Sequence, residues 1–469
     1  MKRLMIFSPL LVAAAGLIQG ARVEVNPGEL ADYIATLSND VTNLKVVGNI
    51  DARDLAALRN LPASVLELNL QESRVVAYSG AVEAFPGRER FAADELPEAL
   101  FYQSNFRSIY LPAGVARMGE ALCAGSAALE EVVVSEGTTQ LAPYALNNCS
   151  SLTTLLLPES LESMGRYSLA GCSSLESLSM SHTKVTDLPD ALFKGCSSLA
   201  SVELPTGIKV IGSEILAGSA VTELSLPALE KGGAYALAGI PTLRSVTVSP
   251  TAGYGEGFLA DNPSLVSVSG SPAAIPDLFL ANTPGTDPSG LLSGASSAGE
   301  YSFANNAVRT LFLGADINFI DAASFAGAGQ LQAISATDLG DRIPEVAENA
   351  FSRLDPSKVG LHVTEESVSL WKEHPVWGLF NVRTDDIGVR EVGTDGNITI
   401  NVSGGVLNVS APAGIAFCDL YTQDGVRVAT ARNAGIDYTV DMSEFPTKMA
   451  VVTVESGDGA RRSVKLLVR

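Results

Sequence analysis

One apolar position returns along the middle of this chain at Phe106, Leu129, Leu152, Leu175, Leu199, Val221, Leu243 and Leu265, at spacings of 23, 23, 23, 24, 22, 22 and 22 residues. A unit of this length cannot bury its apolar side alone, so it must stack on copies of itself and share one continuous core with them. The period therefore sets the fold class before any chemistry is considered.

Each unit has two halves, seen best in residues 144–158. A short helical turn is expected at Tyr144, Ala145 and Leu146, followed by the polar stretch 147–151 and a strand over 152–157 that Pro158 closes. Side chains alternate along a strand, so Leu155 and Leu157 share one side and, after a bend, Leu152 joins them in the core. This period, with its Leu-x-x-apolar-x-apolar strand, predicts an α+β leucine-rich-repeat solenoid of short strands and short helical turns. Stacking then lines up the outward residues in columns. The candidate binding face consists of Tyr110, Glu131, Val133, Thr154, Leu156, Ser177, Ser179, Ser201, Glu203, Glu223, Ser225 and Thr247. Small polar residues dominate it, and Tyr110 and Phe312 are the aromatics placed there, so it suits protein contact better than sugar stacking.

The flanking regions differ from the repeats. Lys2 and Arg3 precede an apolar run over residues 4–18 and then Gly20 and Ala21, the layout of a secretory leader cleaved near residue 20. The alternative, a membrane anchor, needs about 20 uninterrupted apolar residues. Residues 21–95 are expected to cap the solenoid, with helices over 30–37 and 51–61, strands over 44–50 and 65–70, and an exposed loop over 79–94. The repeat weakens over 272–300, where one degenerate unit is expected, and resumes to residue 383, with Trp371 and Trp377 closing the core. A linker over 384–394 leads to residues 395–469. There, strands over 398–402, 406–409, 416–421, 426–429, 449–454 and 463–468, with turns at Gly404-Gly405, Asp424-Gly425 and Gly457-Asp458-Gly459, predict a small all-β sandwich.

Charge and chemistry narrow the function. The net charge is −21, with 52 acidic and 31 basic residues and no basic run longer than Arg461-Arg462, which argues against a nucleic-acid partner. Cys149, Cys172 and Cys196 occupy one repeat position that Ser126, Ser219 and Ile240 fill elsewhere, and Cys123 lies three places earlier in its unit. Packing as small apolar groups is the simplest reading, and disulfides between neighbouring units stay open. No Cys-x-x-Cys pair points to zinc. With His182, His362 and His374 the only histidines, and without a nucleophile elbow or phosphate loop, no catalytic residue, metal or cofactor is assigned.

The strings Tyr144-Ala-Leu-Asn-Asn-Cys-Ser-Ser-Leu-Thr-Thr-Leu-Leu-Leu-Pro158 and Ala191-Leu-Phe-Lys-Gly-Cys-Ser-Ser-Leu-Ala-Ser-Val-Glu-Leu-Pro205 resemble the BspA-like leucine-rich repeats of Bacteroidetes surface proteins. Residues 44–55 and 66–70 resemble the lead-in to such repeats. The tail, with Cys418-Asp-Leu-Tyr-Thr-Gln-Asp-Gly-Val-Arg-Val428 and the ending Lys465-Leu-Leu-Val-Arg469, resembles a type IX secretion sorting domain. It departs at Phe445-Pro-Thr-Lys-Met449, where that domain carries Gly-x-Tyr. The resemblance implies an exported, non-enzymatic protein of the cell surface, outer membrane or medium that binds an extracellular protein of host matrix or bacterial surface. A structural envelope spacer and a polysaccharide-binding accessory are the alternatives.

Overall fold

The computed structural model describes residues 19–270, 272–384, 399–403, 406–411, 414–422, 427–432, 435, 437–442, 449–456 and 461–467. Residues 1–18 of the expected leader, most of the linker, the three tail turns expected at 404–405, 424–425 and 457–459, and residues 445–448 lie outside that set. The chain falls into two compact units, one ending at residue 331 and taking in 342–356, the other made of 332–341 and 357–469.

In the first unit most coils contribute two short parallel strands. The first ladder runs through Glu67–Asn69, Ser108–Tyr110, Glu131–Val133 and Thr154–Leu156, pairs Ser177–Ser179 with Ser201–Glu203, and joins Glu223–Ser225, Ser245–Thr247 and Ser267–Ser269. The second ladder uses two-residue strands such as Gln140–Leu141, Ser163–Met164 and Val210–Ile211. All eight anchors are buried, the most exposed being Phe106 at 7%.

The expected helical turn at 144–146 is not a helix, and the reason lies in the amides. Tyr144, Leu146 and Asn148 donate their N–H groups to the carbonyls of Arg166, Ser168 and Ala170 in the next coil at 3.0, 2.8 and 2.7 Å. The amides between them, of Ala145, Asn147 and Cys149, bond locally. The same alternation recurs in most coils from Ala121 to Asn305, the coil at 213–218 departing from it with Ile215 and Gly218 as the donors to Ala236 and Gly239. A helix would consume every amide along its own axis. Here, left-handed residues turn alternate amides toward the neighbour, as Tyr144 and Asn148 do at φ 58° and 57°, Tyr167 and Gly171 at 55° and 76°, and Ala191 and Gly195 at 53° and 75°. A non-glycine residue pays roughly 1–2 kcal/mol for that conformation, and a paired amide returns about 1 kcal/mol.

Carbonyls on the inner side, most of which already accept a local amide, take a further donor from a side chain of the next coil. Cys149 Sγ donates to Cys123 O at 3.2 Å, Cys172 Sγ to Leu146 O at 3.3 Å and Cys196 Sγ to Leu169 O at 3.1 Å. Ser126 does the same to Phe101 O at 2.9 Å, and Asn262 Nδ2 reaches Leu237 O at 2.8 Å. All the cysteines are free thiols, and burial pushes those of Cys149 and Cys196 up to about 12. The column is thus a line of hydrogen-bond donors rather than plain apolar filler.

The weak repeat is a full coil in which the helix Ser289–Leu292 stands where a first-ladder strand is expected, and Phe312 N–H donates to Ser289 Oγ at 3.1 Å. In the cap, the strand Gln19–Val25, absent from the sequence reading, pairs in parallel with Val41–Ile50. Asp51 and Asp54 form a capping box on the helix Ala52–Leu58. The loop over 79–94 is mostly exposed, as expected, yet it is tied down at a few points. Tyr78–Ser79 pairs with Arg90–Phe91, Phe85 and Phe91 are buried, and Arg53, Arg59 and Arg88 lie over the rings of Tyr78, Phe85 and Phe91.

The second unit holds the parallel strands Ala333–Ser335, Gly360–His362 and Asn381–Arg383. Trp371 and Trp377 are fully buried and meet edge to face at 5.6 Å. Its tail has two antiparallel sheets, one of Thr399–Ser403, Val406–Ser410 and Asp437–Asp441, the other of Arg427–Arg432, Ile415–Thr422, Met449–Ser456 and Arg461–Leu467. Leu407, Val409, Cys418, Leu420, Val452 and Val454 from both sheets share one buried cluster. On this unit Asp419 is held below the usual carboxylate range by Arg432, whose two guanidinium nitrogens reach it at 3.0 Å.

Two stability outcomes follow. Replacing the partly exposed Ala121 by valine puts a β-branched side chain at φ 52° and should lower stability by about 1–3 kcal/mol in urea unfolding, whereas Ala121→Asn should be nearly neutral. His374 Nδ1 accepts the amides of Val376 and Trp377 at 3.2 and 3.3 Å, and burial lowers its pKa. The folded state therefore binds fewer protons than the unfolded one. This contribution is present above the ordinary value of 6.5 and is lost as pH falls below it. The urea midpoint should drop more steeply on acidification in the parent than in His374→Asn, whose side-chain oxygen accepts the same amides without titrating.

Candidate functional site

The first ladder places each of the twelve sequence-predicted residues at a strand position flanking a core residue. Ile109, Val132, Leu155, Leu178, Leu224 and Val246 point inward and are buried, with Val202 partly so. Strand alternation turns their neighbours outward. Register then builds true columns. Glu67, Ser108, Glu131 and Thr154 stand opposite one another in sequence, and so do Asn69, Tyr110, Val133 and Leu156. Ser177 opposes Ser201, Ser179 opposes Glu203, and Ser225 opposes Thr247.

The columns are not chemically uniform. Tyr110 Oη donates to Glu131 Oε2 at 2.7 Å, and this bond, reinforced by burial and by Glu67, pushes the phenol up to about 12. Glu67 is itself raised, first by burial and then by Glu131. Next to Val133, on the last strand of this sheet, Leu156 is 53% exposed. Farther along the face is smoother, with Ser179 Oγ donating to Glu203 Oε2 at 2.5 Å and Ser269 Oγ to Thr247 Oγ1 at 2.9 Å. Glu67 and Asn69 were not singled out in the sequence because their unit belongs to the cap and lacks the regular spacing. Their register with Ser108 and Tyr110 is what adds them to the face.

None of the twelve positions carries a basic side chain, and three are carboxylates, Glu131, Glu203 and Glu223. Among the described residues no group of three or more His, Cys, Asp or Glu side chains is placed to hold a metal ion. No helix among them is long and apolar enough to cross a membrane. His182 Nε2 lies 2.8 Å from Leu157 O, and His362 is buried on its strand.

The profile of the BspA-type leucine-rich-repeat region matches in six copies over residues 94–222, 171–269 and 291–367, more than half of the chain. The chain belongs to the BspA-type leucine-rich-repeat family. A leucine-rich-repeat protein from Bacteroides ovatus is similar in fold, with 16% identity, a TM-score of 0.54, and coverage of 81% of this chain and 97% of the other. A leucine-rich cell surface protein of Faecalibacterium prausnitzii shows 16% identity over 60% of this chain and 86% of its own, at a TM-score of 0.33. The pneumococcal vaccine antigen PcpA shows 12% identity over 82% and 100%, at 0.34. No curated protein matches the sequence. BspA-type repeats are thus seen here as strand and turn, a parallel β-solenoid in which helices are few.

Replacing Glu131 by glutamine removes the charge that Tyr110 faces. The Tyr110 phenol should then ionise closer to its ordinary value of 10, read as the difference between alkaline absorbance titrations of Glu131→Gln with and without Tyr110→Phe.

Proposed function

We propose that this protein is an exported, non-enzymatic member of its family that binds a protein partner at the cell surface or in the medium. The observation that carries this reading is the column of Leu156, Val133 and Tyr110, an open aliphatic, a valine and an aromatic in register on successive strands, with Glu131 bonded to Tyr110. An apolar centre with an aromatic neighbour and a polar, charged surround is the anatomy of a protein-binding patch. The carboxylates favour a partner with a basic rim, such as an extracellular matrix or bacterial surface protein.

The leader-like N-terminus supports export. The two tail sheets with their shared core support a small β-sandwich, and its resemblance to a sorting domain supports delivery to the outer surface. On this reading the chain divides into a leader over 1–20, a cap over 21–95, the solenoid over 96–383, a linker over 384–394 and the tail domain over 395–469. A structural spacer is the second reading, favoured by the Ser-rich part of the face from Ser177 to Ser225.

Brief proteolysis of intact producing cells tests exposure, and the repeat region should be shaved from the cells or found in the medium. Its protection inside the envelope would remove the surface reading. Binding is tested with the full chain immobilised against purified matrix and surface proteins. A partner should bind the parent and lose about tenfold in affinity with Leu156→Glu, as expected when a charge enters an apolar centre. Uniform failure to bind would favour the spacer.

A further inference from the structure

The second ladder changes character between residues 250 and 321. Its outward positions are large or charged in most other coils, as at Arg117, Gln140, Asp187 and Lys231 with Ser163 the exception, but here three in succession are Gly253, Ala274 and Ser297, and then comes Phe319, which is 38% exposed. Three small residues in a row against one partly exposed ring leave an open groove of about 560 Å³, lined also by Pro250. Neighbouring coils lie ~4.8 Å apart, so four of them give a floor about 14 Å across. That is the reach of about four residues of extended chain.

The groove carries charge of one sign only. Asp277 and Asp321 line it, and among the described residues no Lys or Arg does. Asp277 Oδ1 accepts the amide of Glu300 at 2.8 Å and Asp321 Oδ1 the amide of Ala322 at 2.6 Å, so both carboxylates are fixed in place yet remain unneutralised by a side-chain cation. A neutral glycan gains little from two fixed, unopposed charges, whereas an arginine or lysine side chain gains twice. Its head pairs with carboxylate and its stem lies on proline and on the Phe319 ring.

We propose that this groove is a second binding site, for an extended polypeptide segment that carries arginine or lysine beside proline or another apolar residue. It rests on the same protein-binding reading but on a different side of the coil from Leu156, so the two stand or fall separately.

The test uses the full chain and a fluorescein-labelled, acetylated hexapeptide of alternating proline and arginine, with the proline–glutamate hexapeptide and maltohexaose as comparisons, read by anisotropy and by competition. The arginine peptide should bind, weaken with added salt, lose at least about threefold with Asp277→Asn, and fail to bind Ala274→Arg, which fills the floor and supplies the cation. Phe319→Ser serves as a second variant should Ala274→Arg melt early, and it should also weaken binding. Leu156→Glu should leave peptide binding unchanged. Equal binding of the glutamate peptide, displacement by maltohexaose, or undiminished binding to a folded Ala274→Arg or Phe319→Ser would each overturn the site. Loss of partner binding in Leu156→Glu together with retained peptide binding would separate the two faces.

Discussion

The structure depends on how its turn amides are shared. In most coils alternate N–H groups leave the local turn and bond to the next coil, as Tyr144, Leu146 and Asn148 do toward Arg166, Ser168 and Ala170. This needs two left-handed residues four positions apart, and the second is glycine, asparagine or aspartate in most coils because those residues take the conformation at little strain. The turn side is thereby hydrogen-bonded from coil to coil much as the strands are. A register slip between coils would break both ladders and unpair the thiol and hydroxyl donors behind them.

That rigidity is what gives the outward residues meaning. A flexible array could not hold Glu67, Ser108, Glu131 and Thr154 in one line and Tyr110, Val133 and Leu156 in the next. Fixed columns let a few residues differ from a plain Ser/Thr background and so define a patch. The same logic explains the groove, since side-chain size varies at outward positions without disturbing the coil, and a run of small residues becomes a cavity only because the backbone beneath does not collapse into it.

Much of this was legible in the sequence, and the part that was not has a physical cause. The anchors and the strand alternation are periodic and apolar, so Leu152, Leu155 and Leu157 announced themselves. The turn was misread because Tyr144-Ala145-Leu146 has ordinary helix formers, and its left-handed start carries a tyrosine rather than a glycine. The better signal was four residues on, in the recurring Gly171, Gly195, Gly218 and Gly239, all at positive φ. The strand Asp437–Asp441 was missed because only Tyr438 and Val440 are apolar in it. The cysteine column was read as packing, while its shared property with Ser126 and Asn262 is donation to a carbonyl of the preceding coil. The groove left no motif because it is made of what is absent, side chains beyond Cβ.

Residue-resolved hydrogen exchange of the native protein addresses the shared-amide ladder most directly. The amides of Tyr144, Leu146, Asn148, Tyr167, Leu169 and Gly171 should exchange as slowly as those of the adjacent strands Thr154–Leu156 and Ser177–Ser179, because all open only when coils part. Exchange of those turn amides at the rate of exposed loops, while the strands stay protected, would contradict the ladder and with it the rigid display of the face.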